Sequence, residues 1–371
     1  MAYTNDKNWF SDTYTEARRR WQASCTRHGA HIRSIQHDLC GPNHEPLFMD
    51  IARLGDRTAP RVLILSCGTH GIEGFTGSAV MSAWLDQRES AWPSNVEVVL
   101  IHAVNPWGFA HGQRVTENNV DLNRNFLDFS KPIPPNNGYD LLHPALQLET
   151  WSEQAWQRVF RDLDEFRQRE GEKAFSDAFN GGQYTHADGL FFGGRRPEWS
   201  NTTLRTVLTE VMQGRREVHL VDLHTGIGPH GMPFFINFDP AGSRPRRMVE
   251  SIWAQDRLNG AGSTHKAFAT YQGLLIDVLP TIEPAADSSA VVIEFGTRSR
   301  PDMQRAHLAL MWLRRLSGAE QKSAQADAAR RHYRESFFPS ETSWRQSVIL
   351  EGVKACEEGL AGLSALQDSP L

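Results

Sequence analysis

The chain has 371 residues, which is enough for one large domain or two ordinary ones. Apolar residues make up 40% and charged residues 22%, the composition of a folded globular protein rather than a disordered or fibrous one. Basic residues number 39 against 44 acidic ones, a net charge of -5. This balance argues against nucleic acid or an anionic membrane surface as the partner.

The sequence shows no signal-peptide or membrane-helix pattern and no paired cysteine motif. The N-terminal residues lack the basic-then-apolar order of a signal peptide, and no run approaches the 18 apolar residues of a membrane helix. We therefore expect a cytoplasmic protein. The four cysteines are scattered without a C-x-x-C pair: Cys25, Cys40, Cys67 and Cys356. Free thiols are expected, rather than disulfides or a thiolate zinc site.

Strand-like and helix-like patterns alternate along the chain. Apolar, β-branched runs predict buried strands at 61–67, 96–104, 218–223 and 290–295. Helical periodicity covers 76–87, much of 148–179, 203–213, 246–258 and 302–316. The alternation predicts one α/β domain over 1–371, with a mostly parallel, mixed central sheet flanked by helices and a core at about 60–300.

Two further helices are expected in the outer region at about 301–365. They cover 319–337 and 342–363, and their pattern is polar or only moderately amphipathic. We expect them to wrap the outside of the domain, as structural padding or as an oligomer contact.

A histidine and a glutamate follow the first predicted strand in a glycine-rich turn. His70 and Glu73 are spaced so that both side chains could reach one metal ion. His332 and Glu335 repeat the spacing in a charged helix, where a solvated helix face is the expected explanation. The first pair differs because it ends a buried strand, where glycines let the backbone bend.

Two alternatives compete with a metal site in this turn. One is an ordinary strand-to-helix turn. The other is a phosphate cradle, since Gly71, Gly74 and Gly77 are regularly spaced ahead of a helix. The pattern is not G-x-G-x-x-G, and no Lys-Ser or Lys-Thr follows, so nucleotide binding is disfavoured.

A loop rich in Arg and Asn follows the second strand. It contains Arg114, Asn123 and Arg124. Guanidinium groups bind carboxylates bidentately, and Asn adds a donor, so the segment suits an anionic substrate group or a developing oxyanion. The alternative is a structural Asp121–Arg124 loop staple.

The third and fourth strands end in a histidine and a glutamate. His224 taken alone is more often a structural residue, whereas Glu294 ends an apolar strand in which burial should raise its pKa. Two histidines and one glutamate with an open position form the ligand set of hydrolytic zinc sites, as in carboxypeptidase A and thermolysin. Glu294 would then be available as a general base.

In this order and strand-end placement, the motifs resemble those of the zinc carboxypeptidases, the funnelin superfamily. The resemblance spans 61–297 and includes Ser66-Cys-Gly-Thr-His-Gly-Ile-Glu-Gly, Asp222-Leu-His-Thr-Gly and Glu294-Phe-Gly-Thr. The details are similar to a bacterial carboxypeptidase-like branch described as a domain of unknown function. The succinylglutamate desuccinylase and aspartoacylase group is related.

The resemblance implies one zinc ion per chain, held by His70, Glu73 and His224. It implies that Glu294 is the general base for zinc-activated water and then the proton shuttle.

The resemblance also implies a substrate-binding set. Arg114 would polarise the scissile carbonyl, and Asn123 with Arg124 would clamp the terminal carboxylate of the substrate. Tyr271 is the candidate for the lid tyrosine of the family, although its surroundings in the sequence are not diagnostic.

The chain departs from the family pattern by a long stretch between the Arg/Asn loop and His224. Its glycine-rich parts, 181–189 and 193–197, predict a wall or lid of the cleft, or else a structural excursion.

Three functions are weighed. The first is a metallocarboxypeptidase that cleaves an amide bond next to a free carboxylate in a small peptide. The second is an N-acyl-amino-acid deacylase, and the third is a relative that binds peptides without hydrolysis. The presence of all three ligands and the base disfavours the third.

Overall fold

The computed structural model describes residues 8–260 and 268–366, and it forms one α/β domain around an eight-stranded sheet. The strands are β1 His31–Cys40, β2 Pro46–Leu54, β3 Arg61–Cys67, β4 Val96–His102, β5 Glu217–His230, β6 Pro233–Asn237, β7 Leu258–Gly260 and β8 Asp287–Gly296. Their order in the sheet is β1-β2-β4-β3-β5-β8-β6-β7.

Twelve α-helices are present in the described ranges. They are α1 Tyr14–Arg27, α2 Gly74–Gln87, α3 Pro106–Ala110, α4 Asn137–Leu142, α5 Glu153–Glu170, α6 Glu172–Asn180, α7 Trp199–Met212, α8 Arg244–Ile252, α9 Leu279–Ile282, α10 Arg300–Arg315, α11 Ala324–Phe337 and α12 Thr342–Ala365.

The middle of the sheet is parallel and its flanks are mixed. β4, β3, β5 and β8 pair in parallel, whereas β1, β2 and β6 join by antiparallel pairs. The register sets Cys67 beside Leu223 and His224 beside Glu294, so the carboxyl ends of three strands meet at one edge. The predicted mixed, mostly parallel sheet is confirmed. Ligands bind at this edge in open α/β sheets.

Four strands and four helices were not predicted: β1, β2, β6 and β7, and α1, α3, α4 and α9. The edge strand β1 did not stand out because most of its residues are exposed or half-buried. Such a strand lacks the continuous apolar run of a doubly covered one. The predicted helix within 148–179 is two helices that meet at Gly171, where φ is +89°.

The helices expected to wrap the outside are part of the core. α12 buries Trp344, Val348 and Cys356, among others, and packs on α2. α11 buries Tyr333 and Phe337. Their small and aromatic residues weaken the apolar periodicity without reducing burial, so describing these helices as padding was wrong.

Two smaller features agree with the composition. The four cysteines, all within the described ranges, are unpaired, and only Cys40 is exposed. Among the described helices, none combines the length and the apolar character that crossing a bilayer requires.

Candidate metal centre and substrate cavity

The turn after β3 brings two chemically active side chains to the edge of the sheet. After Cys67 the chain passes through His70 and a 3-10 turn, Gly71–Glu73, directly into α2. A Cβ at Gly71 would lie 2.0 Å from the carbonyl carbon of Gly108, so the close packing of this turn against α3 requires a glycine. That packing explains Gly71 without a bound phosphate.

Three potential ligands converge where β3 and β5 end. His224 Nδ1 lies 3.1 Å from His70 Nδ1 and 2.9 Å from Glu73 Oε2, and His70 Nδ1 lies 3.0 Å from Glu73 Oε1. All three side chains are buried, and they form a group that could hold a metal ion. Ligand atoms around a tetrahedral zinc ion are roughly 3.3 Å apart, so the donor set and its spacing fit this metal.

The outer nitrogen of each imidazole meets a buried carboxylate. His70 Nε2 lies 3.2 Å from Asp121 Oδ1, and His224 Nε2 lies 2.6 Å from Asp222 Oδ2. The hydroxyls of Ser66 and Thr69 donate to Asp222. Carboxylates at this position fix the tautomer and orientation of metal-binding imidazoles, so both Nδ1 atoms are free to face a cation.

These two carboxylates were not assigned this role from the sequence. The signal for Asp222 was its place two residues before His224, because alternate residues of a strand share one face. The suggested Asp121–Arg124 staple is present between backbone atoms, because Arg124 N–H donates to the Asp121 carbonyl oxygen at 3.0 Å, but no ion pair joins the two side chains. Asp121 instead accepts a 3.0 Å hydrogen bond from Arg114 Nε.

The surroundings of the centre shift the pKa values of Glu73 and Glu294 in opposite directions. Burial acts to raise the pKa of Glu73, but the charge of His70 and hydrogen bonds from both histidines hold it below its usual range. Glu294 lies beside His224 in the sheet. Burial, followed by the negative charge of Glu73, raises the pKa of Glu294 to about 7. A carboxyl group with such a pKa can exchange protons near neutral pH.

Arg114 is fixed by two carboxylates. Its Nη1 donates to Glu73 Oε1 and its Nε to Asp121 Oδ2, each at 3.0 Å. The guanidinium group therefore lies directly beside the candidate metal ligands and lines the adjoining cavity.

Arg124 has a different environment, although it is also buried. Nη1 and Nη2 donate to the carbonyl oxygens of Asn123 and Asn180 at 2.6 and 2.7 Å, and Nε has no hydrogen-bond partner. No carboxylate of the described residues pairs with its charge. The guanidinium carbon lies 4.7 Å from the ring centroid of Tyr271, so both residues predicted for substrate binding are adjacent.

Asn123 also lies at the cavity. Its Oδ1 accepts a 3.0 Å hydrogen bond from Leu275 N–H, which fixes the amide. Asn123, Arg124, Tyr271, Arg114 and Glu294 all line one cavity of about 580 Å³, together with His70.

The segment 181–197 forms part of the cavity wall. Tyr184 donates from its hydroxyl to the Arg124 carbonyl oxygen at 2.7 Å, and Phe191 lines the cavity. The guanidinium carbons of Arg114 and Arg124 lie 5.5 and 5.7 Å from the Phe191 ring centroid. The segment thus supports the arginine-rich side of the site.

Several lining residues were absent from the sequence-based site. Phe337 comes from α11, and Met303, Gln304 and His307 come from α10. His332 and Glu335 are not part of the centre, because His332 bonds to the Asp302 carbonyl oxygen and Glu335 pairs with Arg298.

Comparisons with known proteins agree with this architecture. A profile of the family described as "Protein of unknown function (DUF2817)" matches residues 10–351. No curated protein sequence matches the chain.

Among solved structures, the chain is similar to bovine thrombin-activatable fibrinolysis inhibitor in complex with tick carboxypeptidase inhibitor. The TM-score is 0.50 at 11% identity, covering 98% of this chain and 99% of that one. Another structure of thrombin-activatable fibrinolysis inhibitor gives a TM-score of 0.50 at 12% identity, covering 97% of this chain and 78% of that chain. A metallo-carboxypeptidase from Burkholderia cenocepacia gives 0.42 at 12% identity, covering 91% and 69%. The fold is that of the zinc carboxypeptidases.

Proposed function

The chain belongs to the family described as "Protein of unknown function (DUF2817)", and from its site we propose that it is a zinc-dependent hydrolase. It cleaves an amide bond next to a free carboxylate, most simply as a metallocarboxypeptidase. The observation that supports this most strongly is the convergence of His70, Glu73 and His224 beside Glu294, in a cavity that also holds Arg124.

His70, Glu73 and His224 would hold the zinc ion. Bound there, zinc supplies Lewis-acid activation of water and of the substrate carbonyl. Asp121 and Asp222 keep the two imidazoles in the orientation that presents Nδ1 to the ion. Arg114 and the backbone N–H of Thr225 hydrogen-bond to Glu73 and hold its carboxylate in place.

Glu294 is the proposed general base. It is the neighbour of His224 in the sheet and lines the cavity, and Ile227 N–H donates to its Oε2 at 3.3 Å. Its raised pKa allows Glu294 to take a proton from attacking water and to pass it to the leaving amine.

Arg114 and Arg124 act on different parts of the substrate. Arg114 is held beside Glu73, where its guanidinium group stabilises the negative charge that develops on the carbonyl oxygen. Arg124 lacks a carboxylate partner among the described residues, so a substrate carboxylate would supply the missing charge. Asn123 and Tyr271 flank that position.

A metal assay and a substrate panel test this function together. We expect about one zinc ion per purified chain and hydrolysis of peptides that end in a free carboxylate, but slow hydrolysis of their amidated forms. Cleavage of N-acyl amino acids without cleavage of peptides would instead identify a deacylase. Bound zinc with no turnover on either set would contradict a hydrolase.

A further inference from the structure

One face of α10 forms a wall of the cavity and carries polar groups. Arg300, Met303, Gln304 and His307 all line the cavity, and their i, i+3, i+4, i+7 spacing places them on one side of the helix. The inward face of a helix is ordinarily apolar. This face instead points hydrogen-bonding groups at the space next to the metal centre.

Gln304 and His307 have unused hydrogen-bonding capacity. Gln304 is only 8% exposed, yet its side-chain amide bonds to none of the described residues. His307 contacts Phe191 and Phe337 with its ring, at centroid distances of 4.8 and 5.4 Å, and likewise has no hydrogen bond to the described chain. Both side chains line the cavity and are absent from the fully enclosed polar groups, so a ligand in the cavity can reach their hydrogen-bonding atoms.

Another part of the cavity lining is apolar and aromatic: Phe234, Ile236, Phe238, Phe268 and Val292. Ile236 and Val292 are paired across β6 and β8 and form part of the floor. The cavity therefore combines this apolar surface with the polar groups of the α10 face.

Charge in the cavity indicates what kind of group fits the polar wall. Arg300 is paired with Glu172, and Arg298 with Glu335 and Glu341. These arginines form ion pairs, whereas Arg124 has no ion pair with a carboxylate of the described residues. A substrate carboxylate is thus directed to Arg124, and the group at the polar wall is uncharged.

We propose that Gln304 and His307 form a subsite for a second, uncharged amide group of the substrate, in addition to the amide that is cleaved. An amide offers one donor and one acceptor, and a glutamine with a neutral imidazole can satisfy both. The inference rests on the proposed function for the position of the scissile bond, but binding at the subsite needs no catalysis.

The test measures binding by calorimetry to the metal-free full-length protein, so that no ligand is hydrolysed. Acetylglycyl-leucine carries the second amide in its backbone, and pentanoyl-leucine has the same chain length without it. Acetylglycyl-glutamine and acetylglycyl-methionine differ only in a side-chain carboxamide. The two pairs distinguish a backbone source of the amide from a side-chain source.

In one of the two pairs, we expect the wild-type protein to bind the member with the additional amide about tenfold or more tightly than the other member. Gln304→Met should remove that preference while leaving pentanoyl-leucine affinity unchanged, and His307→Leu should reduce it. Arg315→Met is the matched control, because Arg315 lies on the exposed end of the same helix. It should keep the full preference.

Two results would overturn the subsite. One is equal affinity of the wild-type protein for both members of each pair. The other is an equal loss of affinity for both members in Gln304→Met. A preference that depends on Gln304 in a protein without hydrolytic activity would leave the subsite standing and reject the proposed reaction, so the two failures are distinguishable.

Discussion

The two ends of the cavity are built differently. At the metal end, Glu73, Asp121 and Asp222 each meet two or more partners, and every imidazole nitrogen of His70 and His224 has a polar neighbour. At the other end, Arg124 bonds only to carbonyl oxygens and leaves Nε unpartnered. Side chains whose hydrogen-bonding atoms all have partners are fixed in position, whereas a side chain with an unpartnered donor can bind a ligand. The contrast motivates separate tests of the candidate metal ligands and of the proposed carboxylate clamp.

The largest effect is expected from removing a metal ligand. His70→Ala or His224→Ala should abolish zinc binding and activity, because two ligands cannot retain the ion tightly. Glu73→Gln should lower metal affinity by weakening one ligand. Elemental analysis measures the metal, and full zinc occupancy in both alanine variants would show that the ligand assignment is wrong. His332→Ala is the control, since it disrupts the other H-x-x-E pair and should keep the zinc.

Replacing the base should separate chemistry from metal binding. Glu294→Gln keeps the shape of the side chain but cannot take a proton, so turnover should fall by about 10²–10⁴-fold while zinc content and thermal stability stay the same. Steady-state rates and metal analysis on the same sample provide the test. A rate close to that of the wild-type protein would rule out Glu294 as the base.

Replacing Arg114 tests the end of the cavity that contains the candidate metal ligands. Arg114→Ala should lower kcat by about a hundredfold with little change in KM, because the charge it stabilises develops only in the transition state. The substitution also removes a partner of Glu73, so zinc content must be measured in parallel. A higher KM at unchanged kcat would assign Arg114 to ground-state binding instead.

Replacing Arg124 tests the other end of the cavity, where the guanidinium group has an unpartnered Nε. Arg124→Ala should mainly raise KM, by about 10–100-fold, because the substrate carboxylate is charged before and during the reaction. Amidated substrates should show the same loss with the wild-type enzyme and no further loss with the variant. If the wild-type enzyme cleaved amidated and free-acid substrates equally well, the clamp would be refuted.

The smallest effect concerns β5, in which His224 and His230 each have a carboxylate partner, Asp222 and Glu341, whereas His219 has none. His219 bonds only to Ser289 Oγ, and burial lowers its pKa to about 3. The unfolded chain takes up a proton near pH 6.5, so stability is fully present above that pH and is lost as pH falls towards 3.

This residue should destabilise the metal-free protein by roughly 1.5 kcal/mol between pH 6.5 and 5. Urea denaturation of the wild type and His219→Gln at both pH values measures the difference. The variant should lose less stability on acidification, and an equal loss in both proteins would contradict the prediction.

The sequence predicted the convergence of the candidate ligands better than it predicted the rest of the cavity. His70, Glu73, His224 and Glu294 follow buried strands, and parallel strands bring their carboxyl ends together, so strand prediction alone places them at one edge. The cavity-lining face of α10 was not predicted, because the sequence pattern of a polar helix face is the same whether the face borders bulk solvent or a cavity. Gln304 and His307 were therefore indistinguishable from surface residues.

The burial of α12 against α2 has a consequence for the order of events during synthesis. α2 begins directly after Glu73, and the helix that packs on it ends at Ala365, so the turn that carries two candidate ligands gains this support only after α12 has been made. At about 5–20 residues per second, the ribosome finishes α12 several seconds after His224. Nascent chains stalled before α12 should therefore load zinc poorly, and metal insertion should follow the synthesis of α12.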